Sequence, residues 1–263
     1  MATTRRPLIA GNWKMNLNHL QSIAFVQKLS WALKDKKFDD KEVEVGVFPP
    51  FTDLRSVQTL INADDLPLTL GAQDLSVHDE GAHTGDISGA FLASLDCTYV
   101  LVGHSERRAH HHEDDDICAG KVQAALRNEL TPILCVGETT EDLEKFGASK
   151  VPVDQLSAVL SAIPRGSEIV VAYEPVWAIG SGQAATPDQA EDVCRALRET
   201  IRSLHGDDAA ESTRILYGGS VKSTNIAGFM KRENIDGALV GGASLDVDEF
   251  VAIARFPQHV SVE

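Results

Sequence analysis

A single carboxylate, Glu174, closes the apolar, β-branched run Ile-Val-Val-Ala-Tyr at 169–173 and is followed at once by Pro175, Trp177 and a Gly180-Ser181-Gly182 triplet. Length and branching make the run a buried strand. A Glu at the mouth of such a strand, ahead of a segment with glycine hinges, reads as a general base beneath a moving loop. Strand-end glutamates also serve as caps or simply face solvent, so the reading depends on what the chain brings to the same place. His104 follows the apolar run 99–102 and opens the turn His-Ser-Glu-Arg-Arg. The positive field of a helix N-terminus disfavours an imidazolium. The group expected there is a neutral imidazole, a donor and acceptor rather than a metal ligand, although a solitary His is commonly a satisfied structural residue. Lys14, two residues beyond Asn12, is either a surface lysine or a cation for a phosphate or developing oxyanion, with Glu106 as its partner.

Two glycine turns complete the set, Gly218-Gly219-Ser220 and Gly241-Gly242-Ala243-Ser244. A glycine-rich turn entering a helix aims backbone N–H groups at an anion. Either turn alone is as easily a tight connection. The run His110-His111-His112 before Glu113-Asp114-Asp115-Asp116 invites a metal reading. Consecutive side chains diverge, however, whereas helical ligands need i, i+3 or i, i+4 spacing, so a solvated helix start with acidic first-turn residues is the better account. No metal site is expected. No dinucleotide fingerprint, P-loop, zinc-protease or serine-hydrolase motif occurs.

What must position these residues is an alternation of short apolar runs with amphipathic segments. Strands are expected at 8–10, 43–48, 68–70, 99–102, 132–136, 169–173, 214–217 and 238–240. Helices are expected at 19–33, 52–60, 113–128, 153–163, 187–204, 223–230 and 244–254, the fifth opening with Thr186 at the cap and Pro187 in the first turn. Strands alternating with helices imply βαβ units and a parallel sheet. Eight units in 263 residues, without linker or low-complexity break, favour an α/β fold with one closed (β/α)8 barrel domain spanning 1–263. Every residue singled out above then stands at a strand's C-terminal end, where such barrels collect their chemistry. The polar stretch 74–88, with Gly81 and Gly85, lacks a helical period. Loops that long usually have a task.

The net charge of −15 argues against nucleic-acid binding and for a soluble protein. It does not exclude an anionic substrate. Charges beyond a Debye length of about 8 Å are screened, while one cation about 4 Å from a phosphate oxygen contributes about 4 kcal/mol at an effective dielectric of about 20. No apolar run is long enough to span a membrane, and 8–10 is too short for a signal-peptide core. Cys97, Cys118, Cys135 and Cys194 are widely spaced, with no CxxC pair, which suits buried thiols in a reducing cytoplasm.

The chain resembles the triosephosphate isomerase family over essentially its full length. The resemblance is carried by Gly11-Asn-Trp-Lys-Met-Asn16, Gly71-Ala-Gln73, Val102-Gly-His-Ser-Glu-Arg-Arg108, Pro132-Ile-Leu-Cys-Val-Gly-Glu138, Ala172-Tyr-Glu-Pro-Val-Trp-Ala-Ile-Gly-Ser-Gly182, Tyr217-Gly-Gly-Ser-Val221 and Leu239-Val-Gly-Gly-Ala-Ser-Leu245. It implies interconversion of D-glyceraldehyde 3-phosphate and dihydroxyacetone phosphate through an enediol(ate), in glycolysis and gluconeogenesis, without a cofactor. By the same resemblance Glu174 is the base, neutral His104 works on the substrate oxygens, Lys14 stabilises negative charge and Asn12 positions an oxygen. The N–H groups of Gly180, Ser220, Gly241 and Gly242 would hold the phosphate. The lid would run over 175–185, comprising Pro175, Val176, Trp177, Ala178, Ile179, Gly180, Ser181 and Gly182 and closing with help from Tyr217 and Ser220. A dry, closed site is expected to raise the proton affinity of Glu174. The family is usually dimeric, and Thr84 matches the residue that reaches the partner's Asn and Lys. His83 replaces a common aromatic residue, Asp86 a common Glu, and Ser181 and Gln183 the usual Thr and Lys; the Arg usual after the fifth strand is missing from 139–149. Two other readings stand beside it: another phosphate-binding barrel that shares the glycine turns, such as a sugar-phosphate epimerase or lyase, and a non-catalytic barrel kept as a binding or scaffold protein. The first has no need of the His104–Glu174 pair with this hinge, and its metal-dependent forms need ligands not found here. The second would tolerate loss of Asn12, Lys14, His104 or Glu174, and all four are present.

Overall fold

The computed structural model describes residues 5–179 and 185–258. Eight parallel strands close into one barrel in sequence order, with β1 pairing both β2 and β8. They are β1 (Leu8–Asn12), β2 (Glu44–Phe48), β3 (Thr69–Ala72), β4 (Tyr99–Val102), β5 (Thr131–Val136), β6 (Val170–Tyr173), β7 (Arg214–Tyr217) and β8 (Gly237–Val240). Each expected strand is present, shifted at its ends by two residues or fewer. The connecting helices are α1 (His19–Asp35), α2 (Leu54–Asp64), α3 (Gly89–Ala93), α4 (Ser105–His110), α5 (Asp115–Arg127), α6 (Thr140–Phe146), α7 (Lys150–Ala162), α8 (Pro187–His205), α9 (Asp207–Ser212), α10 (Ile226–Met230) and α11 (Val247–Ala254). Three of these, α3, α6 and α9, have no counterpart among the expected helices, and each is seven residues or shorter. Among the described residues, no helix is long and apolar enough to cross a membrane.

Side-chain alternation along the strands divides the apolar residues into two cores. Leu8, Ala10, Leu101, Ile133, Ala172 and Leu216 point inward and fill the barrel. Their neighbours Ile9, Val100, Val102, Leu134, Val171 and Ile215 point outward and pack under the helices. Both faces of each strand are therefore buried, which is why the strands read as continuous apolar runs. Phe48 fills the interior opposite Gly71, where a Cβ would come within 2.1 Å of its ring. At the N-terminal ends of the strands, Glu44 plugs the barrel floor. It accepts from Tyr99 (2.8 Å), Thr69 (3.0 Å) and Arg214 (2.8 Å).

The metal-like run resolves into two parts. His110, His111 and His112 are exposed, and no group of three or more His, Cys, Asp or Glu among the described residues could hold a metal ion. The solvated helix start needs correction at one residue. Asp114 caps α5, whereas Glu113 is buried and bonded to Arg107 (2.6 Å) and to Lys121 (2.5 Å), which also reaches Asp74. A buried carboxylate with two cationic partners needs no solvent, and those partners are not visible from local spacing.

Candidate active site

At the C-terminal mouth of the barrel a cavity of about 310 Å³ is lined by Asn12, Lys14, His104, Glu174, Ser220 and Gly242, among others. The backbone of β1 delivers Asn12 and then turns sharply. Lys14 sits in the left-handed region at φ 53°, with its N–H donating to Asn12 Oδ1 at 2.9 Å. A non-glycine residue in that region persists only where its surroundings hold it. Gln73, just past β3, provides the hold by donating its amide to the carbonyls of Lys14 and Phe48, each at 2.8 Å. The Lys14 ammonium meets Glu106 Oε1 at 2.6 Å, as the sequence suggested. Gln73 is the positioning residue that sequence reasoning quoted without assigning it work.

His104 caps α4, and its Nδ1 accepts the N–H of Glu106 at 3.2 Å. Its Nε2 lies 3.0 Å from Glu174 Oε1, while Glu174 Oε2 accepts the N–H of Ser105 at 2.9 Å. Both carboxylate oxygens are therefore held, in a group only 2% exposed. Burial pushes the Glu174 pKa up, but His104, the Ser105 N–H and Lys14 more than offset it and leave the pKa below the ordinary carboxylate range. The expected rise in proton affinity is therefore not realised in this geometry. At His104 burial opposes the charge, and Glu174, aided by Glu106, draws the pKa above its ordinary value.

Glycines admit the base. A Cβ at Gly218 would stand 2.9 Å from Glu174 Cγ, and one at Gly137 only 1.8 Å from the Glu174 carbonyl oxygen. Gly242 faces open space and Gly241 lies beside the Lys14 stem. The segment after Glu174 starts with a 3₁₀ turn, Val176–Ala178. Glu138 anchors it by accepting from Trp177 Nε1 (2.7 Å) and the Tyr173 hydroxyl (2.9 Å), and its carbonyl takes the Val176 N–H (3.1 Å). Burial raises the Glu138 pKa and these donors only partly oppose it. Pro175, Val176, Trp177, Ala178 and Ile179 are described; Gly180, Ser181, Gly182 and Gln183 lie outside the described residues. Tyr217 has a buried hydroxyl, packed where a Cβ on Gly219 would clash at 2.1 Å. The loop bearing His83 and Thr84 is exposed, with His83 stacked on His78 at 3.7 Å, and neither residue lines the cavity.

Residues 7–256 match a family model described as triosephosphate isomerase. A triosephosphate isomerase of Leifsonia xyli subsp. xyli is 65% identical over 97% of this chain and 99% of that protein. One from Streptomyces avermitilis is 56% identical over 97% and 98%, and one from Mycobacterium avium 54% identical over 95% and 96%.

Proposed function

The chain belongs to the triosephosphate isomerase family, and from that premise we propose that it interconverts D-glyceraldehyde 3-phosphate and dihydroxyacetone phosphate. The observation that carries the reading is the facing pair of Glu174 and His104, 3.0 Å apart in a cavity edged by glycine turns. Glu174, ionised, takes the proton from the carbon beside the substrate carbonyl. Against burial, the contact with Glu174 is what draws the His104 pKa up; with substrate between the two, His104 is released from it and acts as a neutral imidazole. A nitrogen that accepts an N–H cannot itself hold a proton, so the Glu106 N–H on Nδ1 supports a lone proton on Nε2. That proton is donated to the substrate oxygens. A substrate lying between the pair would part Glu174 from its strongest counter-donor and return to it the proton affinity that burial favours.

Lys14 stabilises the developing negative charge and Asn12 aligns an oxygen beside it. The phosphate is held by N–H groups of Ser220, Gly241 and Gly242, with Gly180 contributed by the lid. The reaction needs no metal or organic cofactor, because each proton moves between groups within side-chain reach. The lid, 175–185, swings from the Glu138 anchor and closes on Tyr217 and Ser220. Closure dries the site and keeps the enediolate from expelling its neighbouring phosphate. The whole chain, 1–263, acts as one barrel domain, pairs with a second copy through the Thr84 loop and works in the cytoplasm in glycolysis and gluconeogenesis. The buried free thiols suit that compartment.

The test is turnover of glyceraldehyde 3-phosphate coupled to NADH oxidation, with and without a chelator. Rapid turnover indifferent to the chelator is expected. Folded protein without turnover, or turnover abolished by the chelator, overturns the reading.

A further inference from the structure

The geometry points to Gln155, on α7 outside the barrel and remote from the substrate, as a positioning residue for the base. This rests on Glu174 being that base. Gly137 follows β5, and its Cα is pressed against the carbonyl oxygen of Glu174, closely enough that a Cβ would approach to 1.8 Å. The Glu174 N–H is tied to the Val136 carbonyl at 2.8 Å, one residue before Gly137. The seat of Glu174 is therefore the Val136–Gly137 peptide. The carbonyl side of that peptide is held by the Glu174 N–H itself, and its other side, the Gly137 N–H, donates to Gln155 Oε1 at 2.8 Å. On the Gln155 side the packing is open. Behind Glu174 and Gly137 lies a second cavity of about 250 Å³, lined by Ser105, Cys135, Gln155 and Val176 among others. Without the side-chain oxygen the peptide has room to rotate into that space. The residue after Gly137 is Glu138, so a tilt of that peptide passes directly to the anchor that holds Trp177 and Tyr173. One amide on an outer helix thus fixes both the base and the root of the segment that follows it.

A base displaced by about 1 Å loses up to about a hundredfold in rate while ground-state binding stays largely intact. Gln155→Met keeps the side chain's length and removes the acceptor; Gln155→Glu keeps an oxygen at the same reach. Isomerase kcat and KM are measured for both and referred to the folded fraction by near-UV circular dichroism. Wild type and Glu174→Gln are run in the same assay. Gln155→Met should lower kcat about tenfold or more with KM within about twofold, and Gln155→Glu should return kcat to within about threefold of wild type. The inference is overturned if Gln155→Met keeps kcat within twofold, if KM rises instead, or if Gln155→Glu is as impaired as Gln155→Met. Should Gln155→Met not fold, Gln155→Ser, too short to reach Gly137, is read by the same criteria. An inert wild type or an active Glu174→Gln would strike the assignment of the base itself, whereas a normal Gln155→Met beside an inert Glu174→Gln strikes only the positioning role.

Discussion

Glu174 is held by two donors and buried, an arrangement that keeps its carboxylate ionised and aimed while leaving no side-chain freedom. Replacing it with Gln preserves shape and removes the lone pair that takes the proton. General-base catalysis contributes about 10²–10⁴-fold. Glu174→Gln should therefore cost at least about a hundredfold in kcat while the thermal midpoint stays near wild type, and activity near wild type in the coupled assay would rule this base out. Glu174 and His104 were legible in the sequence because each ends a buried apolar run, and that position alone brings them to one face. The Lys14–Glu106 pair was legible once both were placed on that face. Gln73, Gly137 and Gln155 were not, since they act on backbone groups 59, 37 and 18 residues away in the chain. A local pattern carries no trace of such partners. Glu113 differs from the expectation for the same reason: Asp114 beside it is an ordinary helix cap, and the partners that distinguish Glu113, Lys121 and Arg107, are not visible in the local pattern.

The strands were readable as elements because burial on both faces gives each an uninterrupted apolar run; α3, α6 and α9, with fewer than two full turns each, show no period. The beginning of the second helical segment was placed two residues early because a 3₁₀ turn, Phe51–Asp53, precedes α2. The barrel floor shows a further limit. Glu44 opens β2 as an unremarkable charged residue, yet it gathers Thr69 of β3, Tyr99 of β4 and Arg214 of β7. Burial raises its pKa, and Arg214, Tyr99 and Thr69 more than offset that, so the folded value lies below the ordinary 4.5. A depressed folded pKa means that the ionised carboxylate adds stability above the unfolded value. That contribution is lost as the pH falls through the folded value. Removing one partner of a buried pair costs about 3–5 kcal/mol. Glu44→Gln should destabilise the fold by about 3 kcal/mol at pH 7, and the difference from wild type should shrink progressively below pH 4.5 in denaturant titrations. A difference independent of pH would remove Glu44 from this account.

At the scale of the whole molecule, the four cysteines are buried free thiols, one in the connection before β4 and the others on α5, β5 and α8. Burial pushes Cys118 up to about 11 and Cys97 up to about 12, and raises Cys135 and Cys194 as well. Thiolates react, not thiols. All four should stay inert to a disulfide reagent in native buffer and react together when guanidinium unfolds the chain, and one thiol modified within minutes in native buffer would contradict this. Assembly gives the sharper expectation. Met15 is 94% exposed, immediately after the strained Lys14, and the Thr84 loop is exposed as well. An apolar side chain left bare beside a group of the site is the feature a second copy would cover in the dimer proposed above. Each copy carries a net charge of −15, so two copies repel over a range set by salt. The Debye length falls from about 30 Å at 0.01 M to about 8 Å at 0.15 M. If pairing completes the site, specific activity should fall as the enzyme is diluted, and the midpoint of that fall should move to lower protein concentration as salt rises from about 0.01 to 0.15 M. Sedimentation in the same buffers should show mass and activity falling together. A fully active monomer would show that the site stands without its partner and that Met15 is bare for some other reason.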